Sequence, residues 1–401
     1  MRVSLPKGPL LPPTSNGKNF TCTPIIENAP ISPQEVLDNY SSFLLPYEIK
    51  EIQRFTKIYF LGYPSAKNQT INDSTYLYKI NPKDHIAYRY EIVKILGSGS
   101  FGKVFQVIDH KTKKQRAIKI FVNQDEIKQQ SEREANVLSL LNKHKCCNTV
   151  KGLDYFYFRL HACITFELLG NNLYIMQIKN DFRPFRQSVV KELAFQIFRG
   201  LLDCAKLGIV HCDIKPENIC STLDDSHKIK IVDFGSACME NFPLRSYIQS
   251  RYYRSPEVIL RLKYGPKIDV WGAALIVIEL LIGKHVFPGR NELEMLNMMV
   301  QLIGPIPKSV VNVAKKKRRT FFTENGTLKS SSSLPSKKPV SIQSLLGPNG
   351  SPQLIDFLEN CLTWKASYRM SALQALEHPW LQQRSFKHVD SENLPTLMKY
   401  L

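Results

Sequence analysis

A chain of 401 residues, 43% hydrophobic and 22% charged, can bury a substantial core and has room for two or three compact units, which excludes disorder throughout. Lys and Arg number 54 against 35 Asp and Glu, and the net charge of +19 favours acidic partners, anionic surfaces or phosphate-bearing substrates, or is simply a basic surface. Nine cysteines without metal-type clustering point to a reduced compartment, and neither a signal-peptide run nor a membrane-length apolar segment is present, so a soluble protein is expected.

Residues 1–30, rich in Pro, Ser, Asn and Gly, are expected to be a flexible tail. At Ser32-Pro33-Gln34-Glu35 the pattern becomes that of a helix start, with Ser as cap and Pro at the first helical position. Val36, Tyr40, Phe43 and Leu44 then follow a helical stripe, and Ile58-Tyr59-Phe60-Leu61 has the character of a strand, so 31–83 is expected to form a small accessory domain. A strand at Ile92–Leu96 leads into Gly97-Ser98-Gly99-Ser100-Phe101-Gly102-Lys103-Val104. GxGxxG alone is a weak signal, but a second strand pattern follows it instead of a helix, which favours a β-hairpin over phosphates against a Rossmann turn. Glycines there would let backbone N–H groups approach phosphate oxygens. Next come a strand at Ala117-Ile118-Lys119-Ile120, a helix from Gln130 to Leu141, a strand at Ala162–Thr165 and an amphipathic helix carrying Val189, Val190, Leu193, Ile197 and Leu201.

The organising stretch is His211-Cys212-Asp213-Ile214-Lys215-Pro216-Glu217-Asn218, followed by Asp233-Phe234-Gly235. It resembles the catalytic loop and metal-binding turn of a protein kinase. That resemblance implies an α+β bilobal fold, with a β-rich small lobe over 84–169 and a helical large lobe over 170–384. It makes Asp213 the base for the acceptor hydroxyl, Lys215 the stabiliser of the moving γ-phosphate, and Asn218 and Asp233 the Mg²⁺ ligands, with Mn²⁺ as a substitute. Lys119 becomes the partner of the ATP α/β-phosphates, oriented by Glu134, with Glu132 the nearest rival. Phe166-Glu167-Leu168-Leu169 resembles the hinge, where main-chain groups of Glu167 and Leu169 would meet adenine, Asn172 the ribose, and bulky Phe166 would restrict the pocket behind. Leu96, Gly97 to Gly102, Val104 and Ala117 complete the implied nucleotide cleft.

Three features narrow the likeness: His-Cys-Asp in place of His-Arg-Asp, the run Ser246-Tyr247-Ile248-Gln249-Ser250-Arg251-Tyr252-Tyr253-Arg254-Ser255-Pro256-Glu257, and the upstream Asp84-His85-Ile86-Ala87-Tyr88-Arg89-Tyr90-Glu91. Together they resemble the dual-specificity tyrosine-regulated kinases, the DYRK family, over about 31–383, with an accessory domain like that of the second class. The resemblance implies phosphorylation of Ser or Thr with Pro following and Arg preceding, and autophosphorylation of Tyr247, whose phosphate Arg251 and Arg254 would hold. The physical need is independent of the family: with Cys212 where an arginine usually docks an activating phosphate, another cation must serve. The family's Tyr-x-Tyr is Arg245-Ser246-Tyr247 here, Cys220 replaces the usual aliphatic floor of the adenine pocket, and Trp271-Gly272-Ala273-Ala274 replaces Trp-Ser-Leu-Gly. None of these removes a group that the chemistry requires.

Asp269 resembles the aspartate that braces the catalytic loop, Ile268–Gly283 should be a buried helix, and Glu257 should pair with Arg369. A polar insert at 308–350 carries Lys315-Lys316-Lys317-Arg318-Arg319, readable as a nuclear signal, a docking surface or a solvated face. Closing helices at Leu354–Leu362 and 371–380 precede a C-terminal tail at 385–401. The reading is therefore a monomeric cytoplasmic or nuclear enzyme acting on Ser/Thr-Pro sites of proteins, without a membrane or specific nucleic-acid partner, the alternative being an inactive kinase-fold scaffold.

Overall fold

The chain divides into two compact units, each assembled from separate segments and stitched by its own buried groups. The computed structural model describes residues 25–382 apart from 27, 69–79, 100, 241–246, 315–317, 319, 326 and 330–338. Residues 1–24, the C-terminal tail, Ser100, Ser246 and most of the basic run 315–319 therefore lie outside the described residues, whereas the last part of the expected flexible tail is ordered, Ile25 bridging to Phe60 and Ile26 buried because the apolar side chains pack into the first unit. One compact unit comprises the described parts of Met1–Asn72, Lys79–Val93 and Ile108–Lys114, and the other comprises the rest.

In the first unit, Ser32 caps α1 (Pro33–Asn39): its hydroxyl accepts the Glu35 N–H while the Glu35 carboxylate accepts the Ser32 N–H at 2.7 Å. The helix is shorter than its apolar stripe, because Tyr40 caps it and Ser41–Phe43 turns as a 3₁₀ segment. Ile58–Leu61 forms no continuous strand. It contributes single bridges, Ile31 to Ile58 and Ile25 to Phe60, while Ile58, Phe60 and Leu61 bury completely. A second helix, α2 (Pro46–Glu51), carries Glu48 into the interior, where its carboxylate meets Lys67 Nζ, His85 Nε2 at 2.7 Å and the Leu45 N–H at 3.0 Å. All three side chains are 0% exposed. The Tyr88 N–H donates to His85 Nδ1, so Nε2 carries the proton that faces Glu48. Arg89 closes the unit with a two-pronged pair to Asp109, both contacts 2.8 Å.

The second unit holds the small-lobe sheet and the helical large lobe expected from the sequence. The sheet strands run in the order β2 (Tyr90–Gly99), β3 (Gly102–Asp109), β4 (Lys114–Phe121), β6 (His161–Glu167) and β5 (Gly152–Phe158), of which Tyr90–Val93, Ile108–Asp109 and Lys114 are counted in the first unit, where β1 (His85–Ile86) pairs with the first residues of β2. Helix α3 (Asp125–Lys143) starts five residues before the expected Gln130, with Asp125 and Glu126 placed favourably at its N-terminus. It buries Gln130, Glu134, Val137, Leu138 and Leu141 on one face. The large lobe is built around α5 (Gln187–Lys206) and α7 (Lys267–Ile282), after the short helix α4 (Leu173–Lys179). From Ile268 to Leu281 every residue of α7 is buried, so the helix is apolar almost all round as its sequence implies, with Asp269 and Glu279 its buried carboxylates. It ends at Gly283, in left-handed geometry (φ +72°), where a Cβ would lie 1.8 Å from the Phe182 carbonyl oxygen. Arg369 pairs with Glu257 at 2.6 and 3.0 Å, both buried, and the closing helices Pro352–Cys361 and Ala372–Glu377 pack on the same core, with Phe357 against Phe198 at 5.4 Å.

Candidate active site

Two short antiparallel strands set the register of the acidic groups. Ile219 in β8 (Ile219–Ser221) pairs with Ile231 in β9 (Ile229–Ile231), and the Val232 N–H donates to the Asn218 carbonyl at 2.9 Å, so Asn218 and Asp233 emerge side by side. Asp233 takes left-handed backbone angles (φ +62°, ψ +73°), a costly conformation for a non-glycine residue that the surrounding bonds maintain. His211 is one of these supports. Its Nε2 donates to the Val232 carbonyl at 3.0 Å, its Nδ1 accepts the Asp213 N–H, and its ring meets Phe234 edge-on at 4.9 Å.

Asp269 lies beneath the loop and accepts the N–H groups of His211 (2.7 Å) and Cys212 (3.0 Å). Burial pushes its carboxyl up to about 6, against the lowering by His211 and those two donors. Above it, Asp213 Oδ1 accepts the Ser250 N–H and hydroxyl at 3.0 and 2.8 Å, and Oδ2 takes Lys215 Nζ at 2.8 Å and Asn218 Nδ2 at 3.2 Å. Lys215 Nζ also donates to the Ser250 hydroxyl at 3.0 Å. Ser250, given no role from the sequence, thus occupies the corner between carboxylate and ammonium. No local pattern marked it, since the contact spans 37 positions.

Lys119 on β4 reaches both carboxylates of the cluster. Its Nζ lies 3.0 and 2.9 Å from the two Glu134 oxygens and 2.8 Å from Asp233 Oδ1. Burial alone would lower the ammonium's pKa, but Asp233 and Glu134 outweigh it and hold Lys119 above its ordinary value. The Lys119 charge in turn draws Asp233 down to about 2, whereas burial pushes Glu134 up. Glu132, the rival, is exposed and accepts the Tyr157 hydroxyl instead. One turn before Glu134, Gln130 donates to the Gly235 carbonyl at 2.7 Å, a second tether from α3 to the Asp-Phe-Gly turn. Its spacing of four from Glu134 was the available signal.

The glycines of the loop divide by what surrounds them. A Cβ on Gly102 would fall 2.2 Å from the Ile120 carbonyl oxygen, so packing against β4 demands glycine there. At Gly97 and Gly99 an added Cβ would meet nothing within 4 Å, so no protein atom requires their bareness, which suits close approach by a ligand. Along the hinge Phe166 is buried opposite Ala117, and the Glu167 N–H is spent on the Lys151 carbonyl at 3.1 Å, which leaves the Glu167 carbonyl as that residue's candidate adenine contact. Leu168 and Leu169 pack on the core, and Asn172 caps α4, its Oδ1 accepting the Ile175 N–H at 2.8 Å. Leu96 is exposed and Val104 half-buried. With Asn218 Nδ2 turned to Asp213, its amide oxygen faces away, and an amide oxygen beside the half-exposed Asp233 carboxylate is a donor set suited to a hard divalent cation.

Tyr247 is 73% exposed, with the Arg254 guanidinium 4.3 Å from its ring centre. Arg254 itself is buried, bonded to the Ile248 and Gln249 carbonyls and to Glu292 Oε1 at 3.1 Å. Hydrogen bonding to Arg254, and then its charge, lower the Tyr247 phenol, and the exposed Arg251 adds to the effect.

Residues 90–381 match the protein kinase domain model. Among relatives, the chain is 38% identical over 387 residues to a putative dual specificity tyrosine-phosphorylation-regulated kinase 3 homolog of Drosophila melanogaster, covering 88% of this chain and 46% of the fly protein. A second Drosophila melanogaster relative, dual specificity tyrosine-phosphorylation-regulated kinase 2, is 37% identical, with 88% and 52% covered. The human dual specificity tyrosine-phosphorylation-regulated kinase 4 is 38% identical over 385 residues, with 92% of this chain and 74% of the human protein covered. The chain thus spans about half the length of the two fly relatives.

Proposed function

We propose, because this chain belongs to the protein kinase family and within it to the dual specificity tyrosine-phosphorylation-regulated kinases, that it is an active enzyme transferring the ATP γ-phosphate to Ser and Thr of proteins and to its own Tyr247. One observation carries the reading: Lys119 Nζ lies within 3.0 Å of carboxylate oxygens of both Glu134 and Asp233, beside an Asp213 already bonded to a hydroxyl and to Lys215.

In this reading an acceptor hydroxyl displaces Ser250 from Asp213, which takes the proton as the hydroxyl oxygen bonds to the γ-phosphorus and the bond to the β-phosphate bridging oxygen breaks, releasing ADP. Lys215 holds charge on the moving phosphoryl group, and Lys119 exchanges its Asp233 contact for the α/β-phosphates. Asn218 and Asp233 are the residues that would hold Mg²⁺, which when bound supplies neutralisation of phosphate charge. The Glu167 carbonyl and Leu169 would take the adenine edge. The substrates proposed are proteins with Ser/Thr-Pro sites and an upstream arginine, and the enzyme is proposed to act as a monomer in cytoplasm or nucleus.

The test is transfer from Mg·ATP to a Ser/Thr-Pro peptide with upstream arginine, beside Asp213→Asn, with mass spectrometry of the protein. Loss of the base should lower turnover by about 10²–10⁴-fold while nucleotide binding persists. Silence across varied peptides from a sample phosphorylated on Tyr247 would place the inactive scaffold ahead.

A further inference from the structure

The insert ties itself to the activation segment through one residue. Arg318 Nη1 pairs with Glu292 Oε2, while Glu292 Oε1 holds Arg254 Nη1, the arginine beneath Tyr247. Glu292 is the first residue of α8 (Glu292–Ile303), where the helix N-terminus favours a carboxylate. The Arg318 guanidinium lies 5.3 Å from the Phe321 ring centre, and its buried Nε has no hydrogen-bond partner among the described residues. A cation half spent on a bridging carboxylate therefore stands one residue away from the arginine that faces the loop tyrosine.

The charge balance gives this arrangement a purpose. A phosphate on Tyr247 would bring about −1.5 to −2. Among the described residues Arg251 and Arg254 supply +2, but Glu292 takes one charge back, which would leave these groups short of the phosphate's charge. We propose that Arg318, acting through Glu292, is the third cation of the Tyr247 phosphate site, a positioning residue by which the insert reads and protects the phosphorylated loop. The inference rests on Tyr247 as the phosphorylated residue and adds the insert to its site. In the unmodified loop Arg318 only balances Glu292; once phosphate arrives, it keeps Glu292 from repelling the new charge and holds Arg254 in place.

The experiment places phosphotyrosine at position 247 during translation, so the sample does not depend on the chain's own activity. The full chain and Arg318→Ala are compared, each with and without the phosphate, for melting temperature and for the rate at which a tyrosine phosphatase removes the group. Arg318→Ala should lose much of the stabilisation gained on phosphorylation and be dephosphorylated roughly fivefold faster, as expected for one partly buried charge contact in a network. Arg318→Lys should restore most of the difference. In a Glu292→Gln background the alanine change should lose its effect, because there is no carboxylate left to offset. Equal melting shifts with and without phosphate and an unchanged dephosphorylation rate would overturn the proposal and leave Arg318 a brace of the insert. Absence of phosphate on Tyr247 in untreated protein would count against autophosphorylation alone, since the installed group tests the site separately.

Discussion

Each unit buries a lysine against a glutamate, yet the two clusters are built for different ends. In the first unit one carboxylate, Glu48, serves two donors, Lys67 and His85, and all three are sealed from solvent. In the second, one ammonium, Lys119, serves two carboxylates, and one of them, Asp233, keeps 45% of its side chain exposed. A closed set with its donors and acceptors matched can only hold structure. An open set with a surplus carboxylate exposed to solvent can hand a partner to a ligand without stranding a buried charge. Exposure and stoichiometry, more than residue type, separate a staple from a site.

Lys119→Met would sharpen this contrast most. Turnover should fall about 10²–10³-fold, the usual loss when one preorganised cation is removed. Melting should move less than this suggests, because Asp233 can rehydrate and Glu134, already pushed up by burial, can take a proton. Glu48→Gln should do the reverse, costing about 3 kcal/mol in denaturant unfolding by removing the carboxylate charge that buried Lys67 faces, while turnover per folded molecule stays unchanged. A Glu48 variant that melts normally but turns over slowly would break the comparison.

The pH dependence follows from the same cluster. Burial would raise the Glu48 carboxyl, but His85 and Lys67 outweigh it and hold it down to about 2 against an ordinary 4.5. A depressed carboxylate stabilises the fold above its ordinary value and loses that contribution as the pH falls between the two. The melting difference between the unaltered chain and Glu48→Gln should therefore be full at pH 6 and shrink from about pH 4.5 toward 2. A difference constant across that range would mean that Glu48 acts by shape instead of charge.

The large-lobe helices and the candidate catalytic loop were legible because their information is local: α7 is apolar at nearly every position, and Asp213, Lys215 and Asn218 sit within six residues of one another. Lys119 and Glu134 were legible through spacing within consecutive elements. What escaped the sequence depends on pairs far apart in the chain. Glu48 lies 37 positions from His85 and 19 from Lys67, and nothing in Pro46–Glu51 announces that its glutamate turns inward. Ser250 at Asp213 and Arg318 at Glu292 are of the same kind, each a polar residue whose partner only the fold supplies. Ile58–Leu61 failed in the other direction: its strand-like apolar residues are buried by single bridges and side-chain packing, without a neighbouring strand of matching length among the described residues.

The smallest effect expected is at Gln130, and it tests whether the open cluster is held open from α3. Its amide is buried and donates to the Gly235 carbonyl at 2.7 Å, so Gln130→Ala removes one hydrogen bond worth about 1 kcal/mol and leaves that carbonyl without this donor. Because Gly235 follows Asp233 by two residues, slack there should reach the carboxylate that Lys119 and the cleft share. The KM for Mg·ATP should then rise roughly fivefold with a smaller change in kcat, since the lost bond orders the empty cleft and the bound nucleotide restores that order. A fall in kcat alone would put Gln130 in the transfer step itself. A lower melting temperature with both constants unchanged would make it a packing contact, and the exposed Asp233 would then be positioned by Lys119 and its own backbone without help from the helix.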